Sequence, residues 1–330
     1  MLVSAINARL LPGILVIALL TGCAVTPQTD RILSQTANNL PQQHLIENVK
    51  FFPQQKYQCG PAALATMLNY QSIPVSPEEL KNKVYVPDLQ GSLQIEMIAT
   101  ARAQGLLVYQ LDPELNTLLT ELARDQPVLV LQNLSFNFLP RWHYAVAIGY
   151  DLQTRELILH SGTQSYYRIS LSTFERTWQR AEHWATVMLN PGQIPATAKP
   201  ATYLQMTHNL QESGQVESAM LAYHAAVHYW PNEPLVYMAF GNSAFSVQHY
   251  RQAEWAFKAA IATKPNDAQA WNNLAYTLQK LDCHSQALIA ARCAAVLAPD
   301  DQNIRHSVQE ISQSSFGQVK QCELPACPTL

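Results

Sequence analysis

Charge is scarce in this chain. Lys and Arg number 21 against 24 Asp and Glu, which leaves a net charge of −3 over 330 residues. No basic patch and no run of like charges stands out, so an electrostatic binder of nucleic acid is excluded. Cysteine is sparse as well, with six residues, and their spacing matches no zinc pattern. A comfortable membrane span is also missing. The N-terminal apolar stretch Leu10–Leu20 falls short of the roughly 20 residues that a transmembrane helix needs. What remains is a chain of ordinary apolar content whose length suits two domains.

The short apolar stretch follows Arg9 and ends in Leu20-Thr21-Gly22-Cys23. This resembles the lipobox of bacterial lipoproteins, in which the cysteine becomes the lipidated first residue. The resemblance implies a signal peptide over 1–22 and membrane attachment at Cys23 through acyl chains. Ala24, not Asp, follows the cysteine, which implies the outer membrane, facing the periplasm. Export sets an oxidising compartment. Apart from Cys23 and Cys59, four cysteines remain, Cys283, Cys293, Cys322 and Cys327. They are expected to form disulfides, and three pairings are open.

Residues 23–47 are rich in Gln, Asn and Thr with Pro27 and Pro41, and read as a flexible tether. A first domain follows over 48–190. Its pattern predicts helices from Cys59, from Ser76-Pro77-Glu78-Glu79 (a capping box), from Ser92 to Arg102, and over Pro113–Ala123. Strands are expected at Leu106–Leu111, Pro127–Leu131, Tyr144–Tyr150, Leu157–Ser161, Tyr166–Ile169 and Trp184–Leu189. Helices first and mostly antiparallel strands after them predict an α+β domain. Residues 191–202 carry three prolines and read as a semi-extended linker.

Beyond the linker the chain repeats itself. Pro231, Pro265 and Pro299 are 34 residues apart, and in the same frame Tyr203, Tyr237 and Trp271 recur. So do Ala219, Ala253 and Ala287, then Tyr223, Phe257 and Ala291. Period and residue types match the tetratricopeptide repeat. They predict an all-α solenoid of three repeats plus a capping helix over 203–315, followed by a Cys-containing tail, 316–330. Such repeats point to a protein partner. The histidines of this region have no ligand spacing.

The chemistry is concentrated in Gln54-Gln55-Lys56-Tyr57-Gln58-Cys59-Gly60-Pro61-Ala62. Pro61 suits the first turn of a helix, which puts Cys59 at the helix N-terminus, where unpaired N–H groups and the helix dipole favour the thiolate. His143 follows in Arg141-Trp142-His143-Tyr144-Ala145-Val146-Ala147-Ile148-Gly149. Glutamine, cysteine on a helix start, then histidine on a strand is the order of papain-like cysteine peptidases. With Phe174 and Trp178 near the domain's end, these residues resemble the bacteriocin-processing, double-glycine-type cysteine peptidases, in a broader exported branch.

The resemblance implies a papain-like fold with no cofactor and no metal. It implies Cys59 as nucleophile, His143 as general base and Gln54 as oxyanion donor. Gln54 is preferred over Gln55 and Gln58 because Phe51-Phe52-Pro53-Gln54 resembles the family's entry strand. The substrate would be a peptide or protein of the cell envelope. The family usually carries an Asp sixteen or seventeen residues after the histidine, and here that place holds His160 or Ser161. His160 is the replacement expected to lie across from His143, Asn133 is a further candidate, and Asp151 is too far along the hairpin. The missing Asp keeps a second reading open, a degenerate scaffold whose repeats bind an envelope partner. Transamidation or thioester chemistry on the same dyad is a third.

Overall fold

The computed structural model describes residues 25–34, 40–54, 58–89, 91–313 and 322–328. Cys23 and the signal peptide expected over 1–22 lie outside the described residues.

The first domain is built on one antiparallel sheet. In chain order its strands are β1 (Gln43–Leu45), β4 (Leu107–Gln110), β5 (Val128–Asn133), β6 (Trp142–Asp151), β7 (Glu156–Ser161), β8 (Gln164–Ser170) and β9 (Ala185–Leu189). The lateral order is β4-β9-β5-β6-β7-β8, with β1 beside the far half of β6. A small ribbon, β2 (Tyr85–Val86) with β3 (Gly91–Ser92), stands apart. The helices are α1 (Pro27–Ser34), α2 (Cys59–Tyr70), α3 (Pro77–Val84), α4 (Gln94–Ala103), α5 (Leu115–Leu122) and α6 (Leu171–Gln179). The expected elements are present, and Ser76 and Glu79 form the reciprocal capping box.

Helix α2 is apolar nearly all round, from Gly60 to Leu68, as a helix buried against a sheet must be. It lies against β6. Gly149 of β6 allows β1 to approach, because a Cβ there would stand 2.5 Å from the His44 carbonyl oxygen. That close approach coincides with a register irregularity between Ala147 and Gly149.

The expected flexible tether over 23–47 needs correction. It contains α1 and β1, and both are docked. Glu175 of α6 is buried and its carboxylate accepts the N–H groups of Gln28 (3.0 Å) and Thr29 (2.7 Å). A carboxylate from another helix thus caps the start of α1, where unpaired donors and the helix dipole attract negative charge. Gln28 also donates to the Pro113 carbonyl and accepts from Leu115 N–H, and Arg31 pairs with Glu114. Composition could not reveal this capping, because the partner lies 147 residues away.

The second domain stacks α7 (Pro200–Glu212) with α8 (Val216–Tyr229), α9 (Pro234–Ser246) with α10 (Tyr250–Thr263), and α11 (Ala268–Lys280) with α12 (His284–Leu297), capped by α13 (Gln302–Gln313). The periodic alanines 219, 253 and 287 are fully buried, as are Tyr203 and Trp271. Small residues let paired helices close up while aromatics fill the space between repeats. Two disulfides, Cys283–Cys322 and Cys293–Cys327, strap the tail along α12. The lengths agree: ten helical residues cover about 15 Å, and five extended residues about 17 Å.

The semi-extended linker expected over 191–202 is docked on the first domain, and its last residues, from Pro200, already belong to α7. Glu121 of α5 is fully buried and accepts from Ala196 N–H (3.1 Å), Thr197 N–H (2.8 Å) and Thr197 Oγ1 (2.6 Å). Burial pushes its pKa up, against those hydrogen bonds. Lys199 donates its backbone N–H to the Tyr109 hydroxyl and pairs with Asp112. Helices α7 and α8 pack on β4 and cover that outer edge of the sheet.

Candidate active site

A cavity of about 960 Å³ opens at the end of the sheet where β5 finishes and β6 begins. Gln54, Cys59, Ser92, Leu93, Trp142 and His143 are among its lining residues. Cys59 is the first residue of α2 and the one free cysteine among the described residues. Its sulfur meets the backbone N–H groups of Tyr144, Gly60 and Cys59 itself. The contact with Tyr144, next in sequence to His143, brings the thiol to the histidine's strand. Gly60 is required here, since a Cβ would stand 2.2 Å from Ser92 Oγ.

His143 pairs with Gln132 of β5 in the ladder. Its Nε2 lies 2.8 Å from Ser161 Oγ. Gln54 is held from two sides: its backbone N–H donates to the Gly162 carbonyl (2.9 Å), and its side-chain Nε2 to the Tyr144 carbonyl (3.3 Å). One N–H of that amide is left over.

His160 does not join this group. In the β6–β7 ladder it is paired with Val146, so the two side chains share a face of the sheet. His143 is three residues from Val146 and therefore projects from the other face, because side chains alternate along a strand. Ser161, one residue on from His160, falls on the face of His143. His160 Nε2 bonds the Val49 carbonyl (3.0 Å), and its Nδ1 accepts from Tyr166 N–H (3.3 Å). Its ring packs between Phe51 and Tyr166. Asn133 acts locally, since its Oδ1 accepts the N–H groups of Ser135 and Arg141 at the base of the β5–β6 hairpin. Asp151 caps the β6–β7 turn through Gln153 and Thr154.

The expected thiolate needs correction too. Burial pushes the Cys59 thiol up, and the three backbone donors offset this only in part. Burial also lowers His143 to about 4, helped by Arg141. The resting site therefore holds a neutral thiol and a neutral imidazole on the wall of one cavity. The physical reason is the partner of His143: a serine hydroxyl carries no charge, so nothing compensates an imidazolium for its lost hydration.

A sheet with a buried helix on it, cysteine at the helix start and histidine at the start of a central strand, defines a papain-like peptidase domain. Residues 46–186 match the Peptidase_C39 like family, and residues 256–289 match the tetratricopeptide repeat. The chain thus carries a C39-like peptidase domain joined to tetratricopeptide repeats. Among solved structures, a Bacillus anthracis protein described as a C39-like peptidase is 16% identical, with a TM-score of 0.39. The match covers 44% of this chain and 97% of that one. The Arabidopsis OM64 TPR domain is 15% identical over 34% of this chain and 93% of its own, with a TM-score of 0.32. Among curated proteins there is no match.

Proposed function

We propose that this protein is an exported, lipid-anchored cysteine peptidase of the bacterial outer membrane, acting on peptides or proteins in the periplasm. Its repeats bind a protein partner. Cys59 is the nucleophile and His143 the general base. With Nε2–H directed to Ser161, Nδ1 of His143 is the nitrogen that takes the thiol proton as sulfur attacks the carbonyl carbon. The Cys59 N–H and the remaining Gln54 N–H stabilise the oxyanion. His143 then protonates the leaving amine, and the C–N bond breaks to leave a thioester. Water, deprotonated by His143, releases the acid and regenerates the thiol.

The observation that carries this reading is the shared cavity: Cys59, His143 and Gln54 all line it, and the sulfur sits beside the backbone of the residue next to His143. The uncharged partner of His143 favours a second reading, an inactive scaffold with the same fold. An electrophilic acyl probe separates them. An enzyme forms a covalent adduct at Cys59 that His143→Ala abolishes. Equal labelling of wild type and His143→Ala, with no turnover of periplasmic peptides, establishes the scaffold.

A further inference from the structure

The hairpin between β5 and β6 carries apolar side chains into solvent. Phe136 is 66% exposed, Phe138 85%, Leu139 67% and Trp142 53%. These side chains are held out by a built backbone, not by a loose loop. Phe136 and Leu139 form a bridge, and the Phe136 and Phe138 rings stack at 5.4 Å. Leu134 N–H bonds the Arg141 carbonyl, Asn133 caps the hairpin from inside, and Arg180 donates to the Asn133 carbonyl. Rigid exposed aromatics beside an arginine suit the boundary between lipid headgroups and acyl chains.

A second, independent observation points the same way. Helix α1 starts at Pro27 and is clamped by Glu175. Only Ala24, Val25 and Thr26 separate it from Cys23, a reach of at most about 14 Å. An acyl chain on Cys23 therefore holds this domain close to the bilayer. The ladder register fixes which end. Gln110 of β4 and Leu129 of β5 both pair with Thr186, so the two strands run the same way. They leave the sheet at the same end, β4 into the Pro113–Leu115 segment that grips α1 and β5 into the hairpin.

We infer that the 134–142 hairpin rests in the membrane surface beside the lipid anchor, so that the cavity works on substrates at the bilayer. This rests on the lipid-anchor reading, and the mass of the mature N-terminal peptide tests that reading separately. The experiment places full-length protein on phosphatidylethanolamine/phosphatidylglycerol vesicles with brominated acyl chains and reads tryptophan quenching. Wild type should be quenched. Trp142→Phe should lose at least half of that quenching. In a Phe136→Ser/Phe138→Ser double variant quenching should fall at least twofold while the protein still floats with the vesicles. Equal quenching in wild type and Trp142→Phe overturns the inference and leaves the hairpin to the substrate, whether or not Cys23 is lipidated.

Discussion

At the scale of the residue, the partner of His143 decides how the site ionises. Burial disfavours imidazolium, so His143 takes a proton only near pH 4. The base form is then present at every pH above that. The acid limb of kcat/KM should lie near 4 and not near the ordinary 6.5 of histidine. Replacing Ser161 by Asp puts a carboxylate where Oγ now lies 2.8 Å from Nε2. An adjacent negative charge favours imidazolium and raises that pKa, so the acid limb of Ser161→Asp should move upward. Thiolate becomes more populated as well, and iodoacetamide labelling of Cys59 at pH 7 should rise about tenfold. An unchanged pH profile and labelling rate would separate Ser161 from the ionisation of the site. His160 serves a different purpose. His160→Ala removes the bond to the Val49 carbonyl and should cost about 1–3 kcal/mol of stability. Cys59 labelling should be untouched, as chemical denaturation and mass spectrometry together would report.

At the scale of the element, strand register and helix capping do the positioning. Two strands, β6 and β7, bring His143 and Ser161 to one face, and one residue of slip would deliver His160 instead. Helix α1 depends on a single distant carboxylate. Glu175→Ala removes the acceptor for two backbone N–H groups in a buried place. The loss should be about 1–3 kcal/mol, with faster hydrogen exchange confined to 27–34 and the segment around Pro113. Exchange unchanged in α1 would show that Glu175 does not hold it.

At the scale of the whole molecule, the repeats and the peptidase domain share structure. Tyr109, Asp112 and Glu121 of the first domain bind residues 196–199, and α7 and α8 cover β4. A chain ending near Pro195 therefore bares a sheet edge and strands a buried carboxylate. It should have a lower Tm and a tendency to aggregate, since open edges pair with other chains. In the full chain Glu121→Ala tests the same clamp. Three bonds to a carboxylate disappear, and the stability loss should reach about 2–3 kcal/mol by chemical denaturation. A truncated chain as stable as the whole would show that the junction is incidental.

Much of this molecule was legible in the sequence for one reason: its signals are local. The 34-residue repeat, the Ser76–Glu79 capping box, and the proline in the first turn of α2 each depend on neighbours along the chain. So do the cysteine at that helix start and the histidine ahead of an apolar strand. What required tertiary structure was every pairing between distant residues. The choice of Ser161 over His160 follows from ladder register. The docking of 27–34 follows from Glu175, and the grip on the linker from Glu121. The neutral state of Cys59 and His143 follows from burial outweighing the helix N-terminus. Of three possible disulfide pairings, the path of the tail along α12 selected one. Residue types announce which chemistry is available, but faces, partners and desolvation exist only once the chain has folded.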